Sequence, residues 1–228
     1  HVRSDKEYNG LRLSSNFVHC IYVHNGNIWV GTDNGGINKF SLRQLKLDNI
    51  VNIPGDATSL SNGCVNATFV EPDGTLWVGT VDGGLNRRGA GEKTFTHFTT
   101  SNSPLTHNSV STLTAADRIL WIGTWGGGVY WLDMDNPDRL NRLEVQPQYA
   151  RIISHIGALA YDKLNNGLWI GSNDGIFFYD SRSRKLLMPF EGCNLVRGCI
   201  GSLIDSNDRL WMGCITGMRV INLRSRKK

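Results

Sequence analysis

The hydrophobic positions of this chain fall in short runs that polar, glycine-rich turns separate. The most regular run ends in Leu-Trp-Val-Gly or a close variant, then passes through Thr into a glycine turn, as in GTLWVGTVDGGLNRR at residues 74–88. It returns around five tryptophans: Trp29, Trp77, Trp121, Trp169 and Trp211. Their spacings are 48, 44, 48 and 42 residues. A period near 45 residues predicts one supersecondary unit per repeat.

Each repeat holds four short segments with the character of strands. A first segment, such as VNATFV at 65–70, precedes the tryptophan run, and the turn between them predicts a hairpin. A third follows the glycines, as in IFFYD at 176–180, and a weaker fourth begins at Ile50, Phe95, Leu140 or Leu187. No helical period appears, so we predict an all-β fold: a β-propeller of five four-stranded blade repeats, with residues 1–228 as one propeller domain or propeller fragment.

The tryptophan runs are apolar at every position, which is typical of strands covered on both faces. We therefore expect Trp29, Trp77, Trp121 and Trp169 to fill the space between blades. Gly79 and Gly123 would let another backbone approach closely. Pro189 falls in a predicted fourth segment, as expected of the outer edge strand of a blade.

Composition narrows the class of function. The chain is 40% hydrophobic and 19% charged, as in soluble globular proteins, and no apolar stretch approaches the roughly 20 residues that span a bilayer. The net charge is +4, but the C-terminal LRSRKK contributes four basic residues. Subtracting those four from 24 leaves 20 basic against 20 acidic residues. The neutral body argues against nucleic-acid binding.

The segment GDATSLSNGCVNATFVEPDGTLWVGTVDGGLNRR resembles the propeller repeat of two-component regulators. This repeat is typical of the periplasmic sensor region of hybrid two-component histidine kinases in Bacteroidetes. SPLTHNSV at 103–110 resembles its opening as well. The later repeats depart from the pattern, because Ser172 and Cys214 replace its Thr, and Ile176 and Met218 replace its second Gly.

The resemblance implies the ligand-sensing propeller of a membrane-bound receptor that binds oligosaccharides released from complex glycans. It implies a periplasmic location, as the extracytoplasmic part of an inner-membrane receptor. The implied partners are an oligosaccharide and the rest of the receptor: further propeller, a transmembrane segment and a kinase. Homodimerisation stays open. Propellers of this family resemble seven-bladed rings, so we favour an arc of such a ring over a closed ring of five blades.

Topology predicts where a ligand would bind. In a four-stranded meander, the turn between the second and third strands and the link into the next blade lie at one end, and such loops commonly carry function. Trp125 stands in one of these turns, where its indole would stack on a sugar; packing over the blade edge is the alternative. The other candidates are polar loop residues: Asn62, Asp82, His107, Asn108, His155, Asp174 and Arg197.

Neither a cofactor nor a metal site is predicted. No zinc-ligand spacing appears, and the adjacent His19 and Cys20 would point to opposite sides of a strand. Cys64, Cys199 and Cys214 look like small buried residues, with a Cys193–Cys199 disulfide as an alternative.

The chain also lacks the serine-hydrolase and zinc-protease motifs, so we expect no enzymatic activity. The acidic loop residues leave a polysaccharide-degrading glycosidase or lyase as an alternative. A third hypothesis for the function is a scaffold propeller that binds another protein.

Overall fold

The computed structural model describes residue 5, residues 12–41, residue 43, residues 46–189 and residues 198–226. Arg197 and Cys193 lie outside the described residues. The described chain is built from strands, apart from two short 3-10 turns at Pro147–Tyr149 and Arg224–Arg226. None of its helical segments has the length and apolarity that a membrane-spanning helix needs.

The strands form five antiparallel sheets in chain order. The first sheet contains β1 (Val18–His24), β2 (Asn27–Thr32), β3 (Gly36–Ser41) and β4 (Lys46–Ile50). The second contains β5 (Val65–Val70), β6 (Leu76–Thr80), β7 (Gly84–Arg88) and β8 (Thr96–Phe98). The third contains β9 (Val110–Ala116), β10 (Ile119–Thr124), β11 (Gly128–Asp133) and β12 (Asn136–Arg142). The fourth contains β13 (Ile156–Asp162), β14 (Gly167–Ser172), β15 (Ile176–Asp180) and β16 (Lys185–Leu187). The fifth contains β17 (Cys199–Ile204), β18 (Arg209–Cys214) and β19 (Gly217–Asn222).

Each sheet is an up-and-down meander in which neighbours in sequence are neighbours in space. This is the blade of a β-propeller, and it confirms the predicted fold class. The chain divides into two compact units, His1–Val110 and Ser111–Lys228, which are described separately below as the N-terminal and C-terminal units.

The predicted fourth strands were misplaced in three blades, and in the third blade β12 begins at Asn136 instead of Leu140. β4 ends at Ile50 instead of beginning there, and β16 ends at Leu187, so Pro189 follows the strand. The proline of an outer strand is instead Pro137, inside β12. The apolar pattern located these strands poorly because an outer edge strand buries little of its surface.

Trp29, Trp77, Trp121 and Trp169 are core residues, as predicted. Trp77 and Trp169 are fully buried, while Trp29 and Trp121 are 5% and 8% exposed. In the N-terminal unit, Trp29 belongs to the same apolar cluster as Val65 of the second blade. In the C-terminal unit, the fourth-blade Trp169 lies in one cluster with fifth-blade residues such as Met212.

The glycine after each Trp-Val or Trp-Ile pair has a packing reason. A Cβ added at Gly79 would lie 2.6 Å from Cγ1 of Val110 and 3.1 Å from its carbonyl oxygen. The expected close approach is confirmed there, although the nearest group is a side chain. In the C-terminal unit, a Cβ at Gly123 would lie 2.7 Å from Cγ2 of Ile156. The glycine therefore leaves room for the first strand of the blade that follows in sequence.

An acidic residue near the end of the first strand accepts the indole N–H in three blades. The three pairs are Glu71 Oε1 with Trp77 at 2.8 Å, Asp162 Oδ2 with Trp169 at 3.1 Å, and Asp205 Oδ2 with Trp211 at 2.9 Å. His24 and Ala116 occupy the equivalent position in the first and third blades. The buried indole N–H groups of Trp29 and Trp121 have no hydrogen-bond partner within the described chain.

Candidate functional site

In the C-terminal unit, the turn after β10 is tied to the link that enters β13. Trp125 forms an isolated antiparallel bridge with His155. The N–H groups of Gly126 and Gly128 both donate to the carbonyl oxygen of Ser154, at 2.9 and 3.0 Å. Trp125 is 54% exposed, so its indole offers a face to solvent at a turn that backbone hydrogen bonds hold in place.

The next turn of this unit reaches the same link. The N–H of Asn173 donates to the carbonyl oxygen of His155 at 3.2 Å, and the N–H of Asp174 donates to Oγ of Ser172 at 3.1 Å. Because His155 contacts both turns, Trp125, His155, Asn173 and Asp174 form one exposed surface, here called the Trp125 patch. An aromatic plane beside an imidazole and a carboxylate can stack on a sugar ring and hydrogen-bond its hydroxyl groups.

The predicted site residues of the N-terminal unit hold their own loops together. Asn62 Oδ1 accepts from the N–H of Cys64 at 2.8 Å, and Asn108 Oδ1 accepts from the N–H of Thr100 at 2.8 Å. His107 Nδ1 accepts from the N–H of Ser109 at 3.1 Å.

Asp82 has a similar structural role. It lies in the left-handed region with φ of 57°, and its carboxylate accepts from the Ser109 hydroxyl at 3.0 Å. These bonds explain the polar residues without a ligand, and their predicted binding role stays a prediction.

A cavity of about 720 Å³ opens in the C-terminal unit, away from the Trp125 patch. It lies by the start of β10, whereas Trp125 follows the end of that strand. Its lining includes Trp121, Trp131, Tyr161, Tyr179, Arg142 and Arg184. The buried Oγ of Ser181, which also lines it, has no partner within the described residues. Burial raises the pKa of Tyr179. Sequence reasoning missed this cavity, because its lining comes from several strands and loops that share no motif.

The N-terminal unit brings together three potential metal ligands that sequence reasoning did not connect. The donor atoms of His19, Asp33 and Cys64 all lie within 4.8 Å of one another. Burial, followed by the adjacent Asp33 carboxylate, raises the pKa of the Cys64 thiol to about 11. These residues come from the second position of β1, the turn after β2 and the residue before β5, so no local sequence motif predicts that they meet.

The family model for the two-component regulator propeller matches residues 12–34 and 59–82. These two stretches of the chain are similar to the two-component regulator propeller repeat. The two matched stretches contain β1 with β2 and β5 with β6, the hairpins that hold Trp29 and Trp77. The predicted resemblance is thereby confirmed.

Solved structures with the same fold include extracellular domains of two-component system proteins. One is the extracellular domain of a protein assigned to a hybrid two-component system of B. thetaiotaomicron, with a TM-score of 0.78 and 20% identity over 97% of this chain. A second such domain from that organism gives a TM-score of 0.71 and 20% identity over 90% of this chain. This chain spans 29% and 27% of the two longer chains.

PorZ of Porphyromonas gingivalis, a surface component of the type-IX secretion system, has a TM-score of 0.63 and 19% identity over 90% of this chain, which covers 32% of PorZ. A search of curated protein sequences finds no significant match to the chain. The repeat-bearing chain therefore spans less than a third of the length of each of these structures.

Proposed function

We propose that this chain is the ligand-sensing propeller region of a membrane-bound two-component receptor and that it binds an oligosaccharide in the periplasm of a Bacteroidetes bacterium. The regulator propeller repeats and the similarity to extracellular domains of two-component proteins support the receptor class. The rest of that receptor is the proposed covalent partner, with homodimerisation as the route by which ligand binding would reach the kinase.

The exposed indole of Trp125 is the observation that carries the ligand class. An aromatic ring that is 54% exposed, in a turn fixed by two backbone hydrogen bonds, is costly to leave in water and is preorganised to stack on an apolar sugar face. His155 and Asp174 lie on the same surface and supply polar groups for hydroxyls. The equivalent turn position in the other blades holds Asp33, Val81, Asn173 or Ile215, so the blade fold itself does not require the tryptophan.

Binding without catalysis is the proposed activity. Hydrolysis of a glycosidic bond needs two carboxyl groups at a defined separation across that bond. In the Trp125 patch Asp174 is the one carboxylate, and Asp82 of the N-terminal unit already accepts a hydrogen bond from Ser109.

Isothermal titration calorimetry of the whole extracytoplasmic region with a library of glycan fragments tests the proposal. Trp125→Ala should weaken binding of the active fragment about 5- to 150-fold, since stacking residues of this kind contribute roughly 1–3 kcal/mol. Trp131→Ala is the matched control, because it removes a half-buried tryptophan from the cavity of the same unit.

Three results would contradict the proposal. Loss of binding in Trp131→Ala with unchanged affinity in Trp125→Ala would move the site to the cavity. If no fragment in the library binds, the proposed ligand class is contradicted. Product formation beyond one equivalent per protein would establish a glycan-degrading enzyme instead.

A further inference from the structure

The His19–Asp33–Cys64 cluster joins three separate segments of the N-terminal unit. Nε2 of His19 lies 3.8 Å from Sγ of Cys64 and 3.9 Å from Oδ1 of Asp33. The side chains of His19 and Asp33 are 41% and 40% exposed, so an ion has access from solvent. The cluster therefore has donors of three chemical kinds around one small space that opens to water.

The backbone holds two of these donors in place. The N–H of Asp33 donates to the carbonyl oxygen of Phe17 at 2.9 Å. Cys64 donates its N–H to Oδ1 of Asn62 at 2.8 Å, and its carbonyl oxygen accepts from the N–H of Val81 at 3.0 Å. A cation that binds here orders little additional backbone, which favours affinity.

The donor distances fit a tetrahedral ion of the size of zinc. Bonds of about 2.3 Å to thiolate sulfur and 2.0 Å to imidazole nitrogen, at tetrahedral angles, separate the two donors by about 3.5 Å. The observed 3.8 Å between Sγ and Nε2 closes to that value with a small rotation of either side chain. A thiolate with an imidazole selects borderline metals such as Zn²⁺ over Mg²⁺ and Ca²⁺.

We propose that His19, Asp33 and Cys64 bind a zinc ion. On binding, the Cys64 thiol releases its proton to solvent and its sulfur forms the bond to the metal, while Asp33 supplies the second negative charge. Three protein ligands leave a fourth position of the tetrahedron open to a water molecule. This inference does not depend on the proposed function.

The propeller repeat does not require this set of residues. The same three positions one blade later are Asn66, Val81 and Ser109, which supply no thiol, imidazole or carboxylate. In the C-terminal unit they are Ser111, Trp125 and His155. Among the sets compared, thiol, imidazole and carboxylate occur together only at His19, Asp33 and Cys64, which is expected of a specific site and not of a packing rule.

Zinc titration of the metal-stripped 228-residue chain by calorimetry, with any purification tag removed, tests the proposal. We expect one zinc ion per chain. Cys64→Ser and His19→Ala should each weaken zinc affinity by about 100-fold or more. Mutating a residue that only hydrogen-bonds to a metal ligand already lowers metal affinity about 10- to 100-fold, and these two variants remove a ligand itself. Cys64→His keeps a zinc donor and should restore most of the binding. Cys20→Ser is the matched control, because it removes a neighbouring thiol that lies outside the cluster and should leave the affinity unchanged.

Cobalt substitution gives a spectroscopic readout that does not depend on zinc affinity. Co²⁺ bound by Cys64 should produce a thiolate-to-cobalt charge-transfer band in the near ultraviolet, and Cys64→Ser should remove it. A chain without that band, or one that shows no stoichiometric zinc binding, overturns the site. Zinc affinity that stays the same in both Cys64→Ser and His19→Ala overturns it equally.

Discussion

The hydrogen bond between an acidic side chain and the tryptophan indole N–H explains why Glu71 is buried, which the repeat pattern alone does not. Glu71 is 3% exposed and lies in a turn, where a charged side chain would normally face water. Its Oε1 accepts the N–H of the fully buried Trp77 at 2.8 Å. Since an unsatisfied buried donor is costly, the acid stabilises the blade by keeping the tryptophan paired.

Glu71→Ala should destabilise the protein by about 1–3 kcal/mol, because it leaves the Trp77 N–H buried without an acceptor. Urea denaturation followed by tryptophan fluorescence measures the loss. Glu71→Gln is the control, since its amide oxygen can still accept and its cost should be clearly smaller. Equal losses in the two variants would show that the charge, and not the hydrogen bond, is what matters.

Asp205 gives the same pairing a pH dependence. The hydrogen bond from Trp211, with further bonds from Arg209 and Asn207, lowers its pKa to about 2. A carboxyl group whose pKa is lower in the folded state stabilises the fold when it is ionised. Its contribution is complete above the unfolded value near pH 4 and is lost as the pH falls through about 2.

Asp205→Asn should therefore be less stable than the wild type at pH 7, and the gap should close between about pH 4 and pH 2. Denaturation midpoints measured across this range test the expectation. Asp135→Asn is a suitable control, because the Asp135 side chain is 69% exposed and pairs with the exposed Arg118. A gap that stays constant down to pH 2 would contradict the assigned role of Asp205.

At the level of the element, identical strand patterns end up with different burial. The first residue of the first strand is fully buried in Val65 and Val110 and 1% exposed in Ile156, but Val18 is 43% exposed. Ile21 and Val23 on β1 are also exposed, at 65% and 63%. The apolar pattern thus specifies a strand, whereas its burial depends on what packs against it.

Val65→Ala should cost about 1–3 kcal/mol, since it removes buried methyl groups from the core of the N-terminal unit and leaves a cavity beside Gly31. Val18→Ala makes the same chemical change at the equivalent position of β1, where the side chain is half exposed, and should cost far less. Chemical denaturation of the two variants side by side measures the difference. Equal costs would contradict the equivalence of β1 and β5.

The threonine that closes each tryptophan strand shows how far the repeat can vary. Its hydroxyl donates to a glycine carbonyl oxygen at 2.9 Å from Thr32, 3.1 Å from Thr80 and 2.8 Å from Thr124. Ser172 keeps this bond at 3.4 Å. Cys214 instead has its sulfur 3.2 Å from that of Cys199, so the fifth blade replaces the hydrogen bond with a contact between two buried sulfur atoms.

For the molecule as a whole, the sequence predicted the fold better than the sites. The period of the Trp run, the paired apolar segments and the glycine turns predicted five blades, because strand formation depends on neighbours within one repeat. The same reasoning failed for β4, β12 and β16, where an edge strand needs no apolar pattern. It placed Trp125 and His155 at one end of a blade, and the structure shows them bridged.

What the sequence by itself determined is the repeated blade, its buried tryptophans and the end of the blade at which Trp125 is exposed. Only the tertiary structure decided that Asn62, His107 and Asn108 hold their own loops, that Ser181 and Trp121 line a cavity, and that His19, Asp33 and Cys64 converge. The physical reason is that hydrophobic period is a local property, readable within about 45 residues. A site is built from loop residues of different segments, and the distances between them are set by the packing of the sheets. The positions of such residues in the sequence follow no regular spacing, so the sequence does not reveal which of them meet.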